Sequence, residues 1–133
     1  MALDVWVGYP ERKSGGPAVS FEPEAYYMFL YPLFEAFAKQ HGKMIDQYDG
    51  VEFEGKELDH VIELVESAKS LIERQPEIFE VHMGTSLGSY MEPKNEEIYH
   101  NVERAEYLVF IERLRDAVLK AKSNHKPLVF FGD

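Results

Sequence analysis

The sequence predicts an α+β fold: a mostly antiparallel sheet of four or five strands with three main helices largely on one face, in a single domain covering residues 1–133. Three observations carry this expectation. Apolar residues recur at helical spacing from Leu58 to Ile72 and from Tyr107 to Ala121. Leu3 to Val7, Phe79 to Met83 and Ile98 to Val102 instead alternate with period two. No repeat, low-complexity tract or linker divides the chain. A domain of this size buries about two-thirds of the surface its unfolded chain exposes, so a core forms without disulfides.

Leu3, Val5 and Val7 alternate with Asp4, Trp6 and Gly8, the pattern of a strand with one face in the core. From Tyr9 to Val19 the residues Pro10, Gly15, Gly16 and Pro17 mark a loop that carries Arg12 and Lys13 and whose tip is expected to be mobile. Pro23 suits the first turn of a helix running to about Gln40, and Glu22 and Glu24 favour the positive end of its dipole. Tyr26, Leu30, Leu33 and Phe37 form its apolar stripe, which Tyr27, Met28, Phe29, Tyr31 and Phe34 widen nearly to a full circle. Pro32 lacks an N–H, so a kink or break is expected near Tyr31, and Gly42 is a natural stop.

Between Lys43 and Gly55, the Asp49-Gly50 pair and scattered apolar residues suggest an irregular strand or small hairpin. The helix that follows runs until Pro76. Two antiparallel strands near 79–83 and 98–102 flank a long loop marked by Gly84, Gly88 and Pro93. The last helix spans about Glu103 to Ser123, with acids near its start and Lys120 and Lys122 near its end. Leu128-Val129-Phe130-Phe131 reads as a strand buried on both faces, hence central and parallel to a neighbour.

Charge sets the functional expectation. The formal net charge is −10, and Met44 to Glu66 holds Asp46, Asp49, Glu52, Glu54, Glu57, Asp59, Glu63 and Glu66 against the single base Lys56. Such a field repels nucleic-acid phosphates and anionic lipid, and it attracts basic surfaces over about 8 Å at physiological salt. Neither nucleic acid nor membrane is expected as a partner. The longest uncharged apolar run, Ala25 to Phe34, is half of the ~20 residues a membrane span needs. Cys is absent, which excludes thiolate metal sites and a cysteine nucleophile and fits a reducing compartment. The segment MALDVWVGYP lacks a basic leader, so the cytoplasm is the expected location. Eight Tyr beside nine Phe supply large amphipathic rings of the kind used both at core edges and at interfaces.

The chemical motifs fail on spacing. With Gly50 as the sharp-turn glycine of a calcium loop, the ligand positions fall on Ile45, Gln47 and Lys56. Arg12 stands where a P-loop requires glycine before Lys13-Ser14. The histidines at 41, 60, 82, 100 and 125 form no His-x-x-x-His pair. Gly84-Thr85-Ser86-Leu87-Gly88 places its first glycine one residue too near the serine for a nucleophile elbow, and no helix follows. No cofactor, metal or catalytic residue is therefore expected.

The leading expectation is a non-catalytic acidic module that binds a basic protein through Asp46, Tyr48, Asp49, Glu52, Phe53, Glu54 and Asp59. Small inhibitors and immunity proteins of basic nucleases or toxins share this general physical character. The alternative is a small enzyme or ligand-binding domain with a pocket between the sheet and the aromatic first helix, using Glu80, His82 and His100 as polar groups if the two central strands bring the histidines together. A third expectation is self-association through the Tyr26 to Phe34 surface.

Overall fold

The computed structural model of the protein describes residues 3–10, 15–88, 90–91 and 94–132. In chain order its elements are β1 (Leu3–Val7), β2 (Val19–Ser20), α1 (Ala25–His41), β3 (Gly50–Phe53), α2 (Glu57–Glu73), β4 (Ile78–Ser86), β5 (Glu96–Glu103), α3 (Arg104–Ser123) and β6 (Leu128–Gly132). The fold is α+β. Four strands form an antiparallel sheet in the order β2-β1-β6-β3, while β4 and β5 pair apart from it as an antiparallel ribbon. The expected mobile tip, with Arg12, Lys13 and Ser14, lies outside the described residues.

β6 is central as its apolar run requires, but it is antiparallel to both neighbours and not parallel to either. Its register sets Phe130 between Val5 and Val51, and Leu128 between Val7 and Phe53. Those side chains join one core with the buried faces of the three helices. The opposite face carries Asp4, Trp6, Val129, Phe131 and Glu52, and Phe131 is 50% exposed there. Val129 on that face is nonetheless buried, so the expected burial on both faces holds at Leu128, Val129 and Phe130 and fails at Phe131.

α3 packs on β1, β2 and β6, and α2 packs on β3 and on α3. Lys69–Glu112 and Arg115–Glu66 ion pairs, at 3.1 and 2.8 Å, tie α2 to α3 at their surface. α1 runs through Pro32 as one helix, so the expected break into two short ones does not occur. Pro32 stands on the exposed side of the helix, where a carbonyl without its in-helix donor faces solvent and not the core. β2 escapes the sequence pattern because two residues are too short to show a period.

The ribbon is held by aromatic packing. Phe79 and Val102 face each other across it, and Phe79 lies 5.1 Å from the Phe29 ring and 6.4 Å from that of Tyr107. Tyr107 is completely buried, stacks on Tyr26 at 4.1 Å, and donates its hydroxyl to the Tyr26 carbonyl at 2.5 Å. Gly84, expected in the loop, is inside β4, just past a bulge between His82 and Gly84.

Burial raises the phenol pKa of Tyr26 and of Tyr107, and it pushes that of Tyr27 up to about 12, with the nearby Asp46 charge adding to the effect. An unfolded chain releases the Tyr27 proton near the ordinary phenol value of 10.0, while the folded chain keeps it until about 12. The stability this group contributes is therefore complete below pH 10 and is lost as pH rises to about 12. Chemical denaturation across that window should show falling stability, with phenolate absorbance from the three tyrosines emerging only alongside unfolding. Tyr27→Phe should flatten part of the slope.

Candidate functional site

The acidic stretch divides into two parts. In its second half, three of the four charges are matched by bases from elsewhere in the chain: Glu57 by Lys43 at 2.8 Å, Asp59 by Lys122 at 2.6 Å and Glu66 by Arg115, while Glu63 has no ion-pair partner among the described residues. The Lys43 ammonium holds the Glu57 carboxyl below its usual range, against a smaller opposing effect of burial. Asp59 is thus a structural partner of α3 and not a free member of a binding face. The cleft beside it, about 700 Å³, is lined by Glu54 and Asp59 together with Lys56, Lys122, Lys126 and His125, so three lysines outnumber its two acids.

In the first half, Asp46, Asp49, Glu52 and Glu54 have no ion-pair partner among the described residues. Asp46 Oδ1 accepts the Tyr48 N–H at 2.9 Å, and Asp49 Oδ1 accepts the Gly50 N–H at 2.8 Å. These bonds fix the turn that delivers the chain into β3. Gly132 N–H donates to the Asp49 carbonyl at 3.0 Å. That bond makes 49 and 132 a hydrogen-bonded pair, so the main-chain groups of Val51 and Phe53 point to β6 and those of Gly50 and Glu52 point outward. Asp49 takes one of these outward groups, and Lys43 Nζ takes another, the Glu52 carbonyl, at 2.7 Å. The sheet edge is thereby blunted against pairing with a foreign strand.

Tyr48 is 63% exposed, as a contact residue must be, whereas Phe53 is 1% exposed and packs against Phe37 and Phe130. Phe53 is therefore a core residue and not a partner anchor, because its register faces Leu128 on the inner side of the sheet. Other rings take its place at the surface. Tyr9 stands beside Glu52, whose carboxylate raises the phenol's pKa, and Phe131 lies against Gly50.

The turn also forms one wall of a groove of about 560 Å³ whose other wall is α1. Met28, Tyr31 and Glu35 recur along that helix at steps of three and four, so they share its groove-facing side with Lys39. Met44, Asp46 and Tyr48 face them. Tyr27 lies at the floor and donates its hydroxyl to the Ile45 carbonyl at 2.8 Å. The wall is pinned from behind as well: a Cβ at Gly132 would run into the Gln47 carbonyl and come within 3.0 Å of Tyr48 N. Only glycine lets β6 approach the turn so closely.

No protein-family model, curated protein or solved structure matches this chain. Its site rests on its own residues.

The remaining expected residues do not converge. β4–β5 register sets His82 opposite Tyr99 and His100 opposite Val81, so the two histidines lie on opposite faces of the ribbon. Glu80 shares the His82 face, and all three residues are exposed. His82 Nε2 meets Glu97 Oε2, and Thr85 donates to the same oxygen at 3.0 Å; together they hold the Glu97 carboxyl below its usual range. Ser86 closes β4 opposite Glu96 and occupies no tight turn. Between the sheet and α1, where the alternative needed a pocket, Phe21, Leu30, Phe34, Ile45 and Phe130 leave a void of only about 10 Å³, against the ~300 Å³ or more of ligand sites. Of the Tyr26 to Phe34 stretch, Tyr26, Tyr27, Leu30 and Phe34 are core, and only Tyr31 and Pro32 are exposed. Met28, Phe29 and Leu33 are half-buried. Among the described residues no helix is long and apolar enough to cross a membrane.

Proposed function

We propose that the protein is a non-catalytic module that binds a basic protein, in the manner of a small cytoplasmic inhibitor or immunity protein. One observation carries this reading: Asp46, Asp49, Glu52 and Glu54, unmatched by any base among the described residues, run together with the exposed rings of Tyr48 and Tyr9 along the turn and edge that β3 provides. Unmatched carboxylates speed encounter with a basic surface, and rings fixed on a rigid edge hold the complex once formed. Asp59 and Phe53 drop out of the binding set, and Tyr9 joins it. The proposed face is smaller and lies closer to the sheet than the acidic run alone suggests.

The test is affinity capture from the native cell at low and high salt, with a variant carrying Asp49→Asn, Glu52→Gln and Glu54→Gln as control. A basic protein should be retained at low salt and released at high salt, and its association rate with the variant should fall about tenfold or more. Retention that ignores both salt and the three substitutions would refute the reading.

A further inference from the structure

Resting on that reading, we infer that the groove between α1 and the 44–48 turn is a receptor for one arginine side chain of the basic partner. Its shape and chemistry argue for this occupant. Tyr31, 39% exposed, and Tyr48 stand on opposite walls and offer aromatic rings, while Met28 and Met44 supply apolar, polarisable surface between them. Glu35 on α1 and Asp46 on the turn bring a carboxylate from each wall, and neither is ion-paired among the described residues. Lys39, the one base among the described residues lining the groove, is one turn beyond Glu35 and is ion-paired with neither acid.

A cation that enters therefore meets rings and two carboxylates that no local base already satisfies. Arginine fits better than lysine. Its planar guanidinium stacks on a phenol face, its five N–H groups can bridge carboxylates on two walls, and its weaker hydration makes desolvation less costly. The walls need no rearrangement: the Tyr27 bond to Ile45 and the Gly132 approach to Gln47 hold the turn in place beforehand.

The experiment titrates the intact protein with acetyl-Gly-Arg-Gly-amide and with peptides carrying citrulline or lysine in place of arginine, and follows the methyl resonances of Met28 and Met44. The arginine peptide should shift both methyls saturably, the lysine peptide should bind more weakly, and the citrulline peptide, equal in shape but uncharged, should not saturate. Glu35→Gln and Tyr48→Ala, both at exposed positions, should each raise the Kd about fivefold, and Tyr48→Phe should retain binding because the ring remains. Absent saturation, equal binding of citrulline or lysine, or indifference to both substitutions would overturn the inference. A captured basic partner that depends on Glu52 and Glu54 but not on Glu35 or Tyr31 would remove the arginine receptor and leave the binding function intact. Peptide binding with no captured partner would do the reverse.

Discussion

Removing the chain from Leu128 onward is expected to abolish folding. β6 bonds to β1 along five residues and to β3 along four, and the sheet order leaves β1 and β3 no contact with each other except through it. Its inner residues Leu128 and Phe130 are wholly buried, and each is worth roughly 1.5–3 kcal/mol in burial alone. Two such losses, added to two broken ladders, consume most of the ~5–15 kcal/mol by which a domain is stable. The truncated chain should show no cooperative melting and no near-ultraviolet circular dichroism. A sharp thermal transition in that chain would refute the central role assigned to β6.

Tyr107→Ala should lower stability by about 3–5 kcal/mol, the usual result of emptying a large aromatic site. That corresponds to a fall of roughly 10–20 °C in Tm for a chain of this size. The effect is large because one side chain serves three neighbours. Its ring stacks on Tyr26, meets Phe29 edge-on at 5.9 Å and lies near Phe79, so α1, α3 and the ribbon lose a shared contact together. Tyr107→Phe keeps the rings and removes only the bond to the Tyr26 carbonyl, which should cost about 1 kcal/mol. Similar losses for the two variants would mean that the hydroxyl, and not the ring, holds these elements together. Hydrogen exchange in Tyr107→Ala should also speed up in β4 and β5 before the rest of the molecule.

The parts of this fold that can be read from the sequence are those with long periods. α2 and α3 announce themselves through repeated apolar positions such as Val61, Val65, Ala68 and Ile72, and the ribbon through the alternation around Val81 and Val102. Strand direction and partnership are less visible. The run Leu128 to Phe131 says that a strand is central, but whether its neighbours are parallel depends on the route of the chain, which no local pattern records. Burial of α1 is illegible for a related reason: an apolar circle does not say which arc faces solvent, so Tyr31 looks the same as Tyr27 until α2, β4 and the 44–48 turn are in place.

The site follows the same logic. Asp46, Tyr48, Asp49, Glu52 and Glu54 are visible as a charged, ring-bearing stretch, yet Phe53 looks like an anchor there because alternation along a four-residue strand leaves its face undetermined. Asp59 looks free because its partner Lys122 is 63 residues away. Glu35 offers no sequence signal except its place four residues after Tyr31, and it gains meaning only when the fold lines one groove with it and Asp46.

Placing the middle of the sheet in the last element of the chain order has a consequence for synthesis. Leu3 finds its partner at Gly132, so a ribosome adding about 5–20 residues per second must work for on the order of ten seconds before that pairing can begin. Throughout that interval the nascent chain holds β1 and β3 with no strand between them, and the apolar inner faces of both are left for chaperones to shield. β1 and β2 can pair early, but the joining of β1 to β3 waits for β6, and a stall before it leaves the two edges of the sheet apart.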